Sequence, residues 1–454
     1  MHTGEIDFIT LGCSKNLVDA ERVMRQLEAA GWRCVHDAEN PQGEICVINT
    51  CGFIGDAKEE SINMILQMAE RKKHGKLRKL IVMGCLSERY RAELEKELPE
   101  VDEYFGKFDF LELIKELKIK NEKLKISCAP YERKLTTPKH YAYLKISEGC
   151  NRMCSYCAIP LITGRHTSRP KEEIIAEVKW LVSQGVKELN VIAQDLSSYG
   201  LDLKTPTPTL PSMEGEKSSV KSRHLLPELI DEIAQVPGVE WIRLHYAYPT
   251  DFPEELLDVM AKHPNVCKYL DIALQHCTDH MLEMMRRHIT RQEQDALIRK
   301  IRERVPGICI RTTLMVGHPG ETEKDFEELK AWVKEMRFDR MGAFAYSDEE
   351  GTYANKHYND DIPQEVKEAR LAELMAIQQE ISAELMRRFK GRTERVIIDR
   401  EEGDYYIGRT QFDSPEVDCE VLIRAKGESL NVGEFYDVKI TRAEEFDLYG
   451  QVEN

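Results

Sequence analysis

Cys150-Asn151-Arg152-Met153-Cys154-Ser155-Tyr156-Cys157 is the stretch from which the rest of the chain can be read. Three thiols stand on one short loop in the spacing C-x-x-x-C-x-x-C. A 4Fe–4S cluster normally takes four Cys ligands, so a three-Cys loop leaves one iron without a protein ligand. An open coordination position marks chemistry rather than scaffolding. A zinc knuckle would need a fourth Cys or His at ribbon spacing, and the next Cys is Cys267.

The loop follows a β-rich run, Tyr141–Ser147, where a strand–helix alternation begins. Further strands are expected at Glu188–Ala193, Val239–His245, Tyr269–Leu274, Ile308–Val316 and Arg340–Ala345. Helices lie between them, such as Lys171–Gln184 and Glu323–Glu335. Six βα units predict a parallel, partly closed barrel with the cysteine loop just after its first strand, on the face where barrel chemistry sits. Polar residues at later strand ends point toward the same mouth: Gln194 and Asp195, His245 and Tyr246, Gln275 and His276, and Arg311. As a set they suit a zwitterionic, ribose-bearing ligand; singly, each also suits an ordinary barrel rim. Gly317-His318-Pro319-Gly320-Glu321 reads equally well as a plain turn into the next helix.

A second cysteine set occupies the first third of the chain. Asp7–Gly12 precedes Cys13, Glu44–Thr50 precedes Cys51, and Leu80–Gly84 precedes Cys85. Each run is short, apolar and β-rich, as in buried parallel strands. Helical patterns at Leu17–Ala30 and Asp56–Lys73 separate them, which implies an open α/β sheet. Ligands in such sheets gather at the carboxyl ends of the strands, so these three thiols can converge and hold a second cluster. Buried core cysteines are the ordinary alternative, and Cys34, Cys46 and Cys128, which lack the strand-end context, are read that way.

With 454 residues the chain has room for about three domains. Its thirteen cysteines, met without a basic and apolar leader at Met1–Glu5, read as reduced thiols and metal ligands in a cytoplasmic protein. No run approaches the roughly 20 apolar residues needed to span a bilayer. Lys204–Ser222 is rich in Pro, Thr and Ser and reads as a mobile insertion, with a surface loop favoured over a lid. The expected boundaries are 1–127, a linker at 128–139, 140–390 closed by a long helix over Pro363–Lys390, and 391–454. The last segment has period-two strands at Arg395–Asp399, Tyr405–Phe412, Val417–Arg424, Tyr436–Thr441 and Leu448–Val452, which suggests a small antiparallel barrel of the oligonucleotide-binding type. Eight basic against sixteen acidic residues give that segment a net charge of −8, half of the chain's −16. Phosphate neutralisation supplies most non-specific nucleic-acid affinity, so tRNA is a poor partner, and a basic protein loop facing acids such as Glu416, Asp418 and Glu420 fits better.

Three parts in this order resemble the radical S-adenosylmethionine (SAM) methylthiotransferases: a three-Cys α/β domain, a radical-SAM barrel and a C-terminal TRAM barrel. Leu11-Gly12-Cys13-Ser14-Lys15-Asn16-Leu17-Val18-Asp19, Ile146–Cys150 and Tyr346-Ser347-Asp348-Glu349-Glu350-Gly351-Thr352 are similar to the branch that modifies a ribosomal protein. The resemblance implies two 4Fe–4S clusters and SAM as cofactors. Cys150, Cys154 and Cys157 would hold the SAM-cleaving cluster, and Cys13, Cys51 and Cys85 an auxiliary one carrying the sulfur. Tyr156 would pack near the adenine, with Gln194, Asp195, Gln275 and Arg311 as further SAM contacts. The implied target is the β-carbon of an aspartate in small-subunit ribosomal protein S-twelve, and an electron donor and a sulfur source are implied partners. No side chain is assigned as acid or base. Two other readings fit the same cysteines: a tRNA adenosine methylthiotransferase, and a non-enzymatic iron–sulfur protein bound to the ribosome.

Overall fold

The computed structural model describes residues 4–118, 128–203, 223–425, 427 and 429–453. The expected insertion at 204–222 lies outside the described residues. Strands β1 (Glu5–Thr10), β2 (Arg33–His36), β3 (Ile45–Thr50), β4 (Lys79–Gly84) and β5 (Glu103–Tyr104) form one parallel sheet in the order β2-β1-β3-β4-β5. The apolar runs make the central strands: all six residues of β3 are buried. Helices cover both faces. Ala20, Val23 and Leu27 pack on Ile6, Phe8 and Val47 from one side, while Ile65, Met68 and Leu86 pack on Ile48, Leu80 and Val82 from the other. β2 and β5 were not anticipated, since one is short and half-exposed and the other has two residues.

β6 (Tyr141–Lys145) opens the central domain. The ribbon of β7 (Ser147–Glu148) and β8 (Thr167–Ser168) then brackets the cysteine loop. β9 (Glu188–Ile192), β10 (Trp241–Ala247), β11 (Val266–Ile272), β12 (Cys309–Val316) and β13 (Arg340–Ala345) complete a six-stranded parallel sheet in the order β13-β12-β11-β10-β9-β6. The strands follow chain order and the sheet stays unclosed between β6 and β13, as the six βα units predict. Side chains alternate along a strand. Ala142, Leu144, Ile242, Leu244, Leu270, Ile310 and Leu314 therefore join the helix-facing core. Tyr141, Tyr143, Arg243, His245, Tyr269, Asp271, Arg311 and Phe344 are left on the interior face. Helix Ser14–Ala29 covers part of that interior, with Leu17 and Val18 against Tyr141, Tyr143, Ile192 and Tyr246.

Residues 128–139 are not a loose linker. Arg133 is buried, pairs with Glu21 at 3.0 Å and Glu177 at 3.1 Å, and donates to the Tyr143 carbonyl. Helix Gln364–Arg387 leads out of the central domain into β14 (Thr393–Glu402), β15 (Tyr405–Thr410), β16 (Val421–Arg424), β17 (Phe435–Ala443) and β18 (Leu448–Val452). These close a barrel in the order β14-β15-β16-β18-β17. It is not wholly antiparallel, because β16 and β18 run parallel.

The strand expected from Val417 begins only at Val421, because the residues before it dock on the central sheet. Tyr141 and Tyr143 donate to Glu416, Arg409 pairs with Glu188 at 2.8 Å, and Arg243 donates to the Gln411 carbonyl at 2.6 Å. Tyr269 donates to Asp418 at 2.8 Å, Arg311 pairs with Asp418 at 3.3 Å, and Arg340 pairs with Asp413 at 2.6 Å. All six strands are touched toward their starting ends, away from the cysteine loop. Glu416 and Asp418 therefore belong to this interface and do not wait for a partner.

Candidate functional site

The first cysteine site forms where β1, β3 and β4 end together. Cys13 caps helix Ser14–Ala29, Cys51 follows β3, and Cys85 opens helix Cys85–Glu97. Gly12 joins two of these ends. Its φ of +94° suits glycine, and a Cβ there would lie 2.9 Å from Cys51 Cβ and 3.1 Å from Cys51 Sγ. Asn16 ties the loops together: its amide donates to the carbonyls of Leu11 and Thr50, its Oδ1 accepts from the Cys85 thiol at 3.4 Å, and its carbonyl accepts from Asn49. Burial pushes the Cys85 thiol up to about 12, with Lys107 opposing and the neighbouring Cys13 and Cys51 adding to the rise.

The second site is the loop after β6. Gly149 enters it at φ +81°, where any Cβ would strike the Arg165 carbonyl at 2.2 Å. Arg287, fully buried, donates to Cys154 Sγ and to the Tyr156 hydroxyl, both at 3.3 Å, and stacks on Tyr248 at 4.0 Å. The Tyr248 hydroxyl lies 3.5 Å from the same sulfur. His318 holds the loop from below. Its Nδ1 faces the Pro319 carbonyl at 3.0 Å and so carries the proton, which makes Ser155 Oγ the donor to Nε2, also at 3.0 Å. Burial lowers His318 to about 4, so the ring is neutral. Burial pushes the Cys150 thiol up to about 12 and Cys157 higher still.

Among the described residues, no three His, Cys, Asp or Glu side chains converge closely enough to hold a single metal ion. A multi-iron cluster asks for something different, since each of three thiolates meets its own iron. Both sites offer three thiols that sense one another electrostatically. Burial raises the Cys51, Cys85, Cys150 and Cys157 thiols and favours their protonated form, and a bound metal is the charge that ionises a coordinating thiol outright. The residues at both sites fit such a group.

The expected SAM contacts separate. Asp195 accepts from Arg152 Nε at 2.7 Å beside Cys150, and Gln194 donates to Glu148. Asp195 Oδ1, Arg152 Nη2 and Gln194 Oε1 are buried without a partner, which leaves polar valence at the mouth. Gln275 sits there with φ +70°, bridged to Leu314. Tyr156 is turned inward, its ring edge-on to His318. Arg311 is the correction. It lies near the start of β12, held by Asp271 and Asp418, on the docking side of the sheet and away from the mouth. His276 faces Glu321, and His245 contacts Asn190 inside the barrel. Arg287 was missed because it is 133 residues from Cys154 with no local signal. His318 lay in a stretch already singled out, where the turn reading and the loop-holding role proved compatible.

The two sites are joined across the domain boundary. Lys15 lies 3.1 Å above the Tyr246 ring, and Lys107 and Lys145 share Asp19 and Glu148. Arg89 donates to the Gly52 carbonyl at 3.1 Å and to Glu349 at 3.2 Å, while Lys58 reaches Glu349 at 2.7 Å.

Comparison with known proteins adds the lineage. Residues 5–106 match the model of Uncharacterized protein family UPF0004, 144–333 the Radical SAM superfamily and 391–452 the TRAM domain. The chain is 64% identical over 452 residues, the whole of both proteins, to "Ribosomal protein uS12 methylthiotransferase RimO" of Phocaeicola vulgatus. The protein of that name in Bacteroides thetaiotaomicron is 62% identical over all of this chain and 99% of its own length, and that of Flavobacterium johnsoniae 51% over 98% of each. Among solved structures, the radical SAM methyltransferase TsrM of Kitasatospora setae superposes with TM-score 0.52 at 13% identity over 76% of this chain and 75% of that one. The cobalamin-dependent radical SAM enzyme OxsB gives 0.51 at 11% over 83% and 56%. These two share the fold alone. Full-length identity at this level, with the three domains in the same order, places the chain in the uS12 methylthiotransferase RimO family of radical-SAM proteins.

Proposed function

We propose that the protein is a radical-SAM enzyme that methylthiolates ribosomal protein uS12, the S-twelve protein of the small subunit, at the β-carbon of an aspartate. The observation that carries this reading is the full-length identity of 64% to a protein of that name. Two sets of three cysteines, one gathered where β1, β3 and β4 end and one on the loop after β6, support it. On this reading Cys150, Cys154 and Cys157 hold one 4Fe–4S cluster and Cys13, Cys51 and Cys85 the other. Loaded, the clusters and SAM supply one-electron SAM cleavage together with the sulfur and methyl group.

The chain's own residues position and shield. Arg287 lays a buried cation against the Cys154 sulfur and balances negative charge there. His318, neutral, fixes Ser155 and through it the loop between Cys154 and Cys157. Asp195, Gln194 and the unpaired Arg152 nitrogen present both charges and an amide to a zwitterionic ligand, while Gln275 lines the same mouth. Asn16 and Gly12 hold the other three strand ends in register. A small misplacement between two reacting groups costs rate steeply, so ionic contacts across the boundary serve the reaction directly.

The electron donor and sulfur source are partners the reaction requires. A ribosomal substrate puts the enzyme in the cytoplasm, and no helix among the described residues is long and apolar enough to cross a membrane. The test is anaerobic reconstitution with uS12 and, separately, bulk tRNA. The expected result is 5′-deoxyadenosine together with a methylthio mass increase on uS12 alone. Modification of tRNA with uS12 untouched would overturn the reading.

A further inference from the structure

Lys15 is a buried cation that forms no ion pair with a carboxylate among the described residues. It stands two residues after Cys13, in the first turn of helix Ser14–Ala29, and is only 9% exposed. Among the described residues no carboxylate reaches ion-pair distance of its ammonium. Its contact is the ring face of Tyr246, 3.1 Å from the centroid. Tyr246, the last residue but one of β10, has φ +64°, a left-handed backbone unusual for an aromatic residue, and this conformation presents the ring to the lysine. A ring face replaces only part of the hydration an ammonium loses on burial.

The interior carboxylate of Asp271 does not answer the need. It is already taken by Arg311 at 3.4 Å and by the Tyr246 backbone N–H at 3.3 Å, and it acts on Lys15 only from farther away. On the same interior face, Phe344 near the end of β13 is 56% exposed. A large aromatic side chain left uncovered inside a barrel marks room for a ligand. Lys15 thus combines burial, a missing anion and adjacency to Cys13.

We propose that Lys15 binds the side-chain carboxylate of the target aspartate and so sets its β-carbon between the two cysteine sites. The assignment rests on the methylthiotransferase reading above. The carboxyl carbon is bonded directly to the β-carbon, so holding the carboxylate fixes the reacting carbon one bond away. The carboxylate of SAM's methionine half has the same chemistry and is separated from this assignment by the test.

The test is a double-mutant cycle on binding. Affinity for fluorescently labelled uS12 is measured with the cluster-loaded enzyme, using uS12 with its target aspartate and uS12 with asparagine in its place. Wild-type enzyme should bind the aspartate form at least about tenfold more tightly than the asparagine form. Lys15→Met should abolish that preference, and Lys15→Arg, which keeps the charge, should retain most of it. SAM affinity should change by less than about threefold in Lys15→Met. Iron content reports whether the Cys13 loop is intact; if Lys15→Met loses iron, Lys15→Arg and the wild-type preference decide. Equal affinity of wild-type enzyme for both uS12 forms overturns the assignment. So does an unchanged preference in Lys15→Met, or a loss of SAM affinity as large as the loss of uS12 affinity. If wild-type enzyme modifies uS12 while the cycle shows no coupling, the function stands and the Lys15 role falls. If uS12 is never modified, both fall.

Discussion

Arg89 and Glu349 meet at 3.2 Å across the boundary between the N-terminal sheet and the central domain, and the same guanidinium holds the carbonyl of Gly52 beside Cys51. Both side chains are almost fully buried, at 6% and 3% exposure. One ion pair therefore ties the position of the Cys51 loop to the segment that follows β13. Glu349→Ala leaves Arg89 and Lys58 without their anion, a loss of about 3 kcal/mol for a broken buried pair. Iron content should stay near wild type while the ratio of 5′-deoxyadenosine to methylthio product rises. An unchanged ratio would show that the contact only stabilises the fold.

Removing each cysteine set should divide the chemistry. The Cys150, Cys154 and Cys157 triple alanine variant should lose about half the iron and all SAM cleavage. The Cys13, Cys51 and Cys85 triple variant should lose about half the iron yet still form 5′-deoxyadenosine, because on the proposed assignment the Cys150 loop would hold the SAM-cleaving cluster by itself. Iron assays and product chromatography check both. Equal loss of SAM cleavage in the two variants would contradict separate roles.

What was legible in the chain follows the range of each signal. Strand runs flanked by Gly, Asn or Thr placed Cys13, Cys51 and Cys85 at neighbouring strand ends, because a parallel sheet makes that geometry nearly obligatory. The six-strand order was equally legible from alternation. Arg287 and Arg89 were not, since the partners of a buried cation are set by packing between segments far apart in sequence. Arg311 shows the opposite failure. A polar residue on a barrel strand was read as facing the mouth, whereas its position near the start of β12 puts it on the docking side. Charge counting overstated the free acidic surface for a related reason, because Asp413 and Asp418 pair with Arg340 and Arg311 across an interface composition does not reveal.

That interface makes acidic residues of the tail barrel inequivalent. The Asp418 side chain is 3% exposed and accepts from both Arg311 and Tyr269. Asp418→Lys buries a cation against Arg311 and should cost about 3–5 kcal/mol, seen as a lower thermal midpoint and release of the tail barrel to limited proteolysis. Among the described residues Glu420 pairs only with exposed Arg400, so Glu420→Lys should cost under about 1 kcal/mol. If the tail's remaining charge steers uS12, Glu420→Lys should slow association at low salt and converge with wild type as salt rises. Equal destabilisation by the two substitutions would mean that the tail barrel is not docked through Asp418.

His318 gives the cysteine loop a defined acid sensitivity. Burial holds its folded value at about 4, below the ordinary 6.5, so between those values the opened loop binds a proton that the closed loop excludes. Stability of the closed loop is therefore complete above about pH 6.5, falls as pH drops toward 4 and levels off below it, by up to about 3 kcal/mol in all. Protonation also turns Nε2 from the acceptor of the Ser155 hydroxyl into a donor and removes that contact. Amide hydrogen exchange over residues 150–157, corrected for intrinsic rates, should show protection in the wild type declining through this window. His318→Gln, which cannot titrate, should begin less protected and lose little more on acidification, so the two proteins converge toward pH 4. Parallel declines in both would assign the acid sensitivity to other groups.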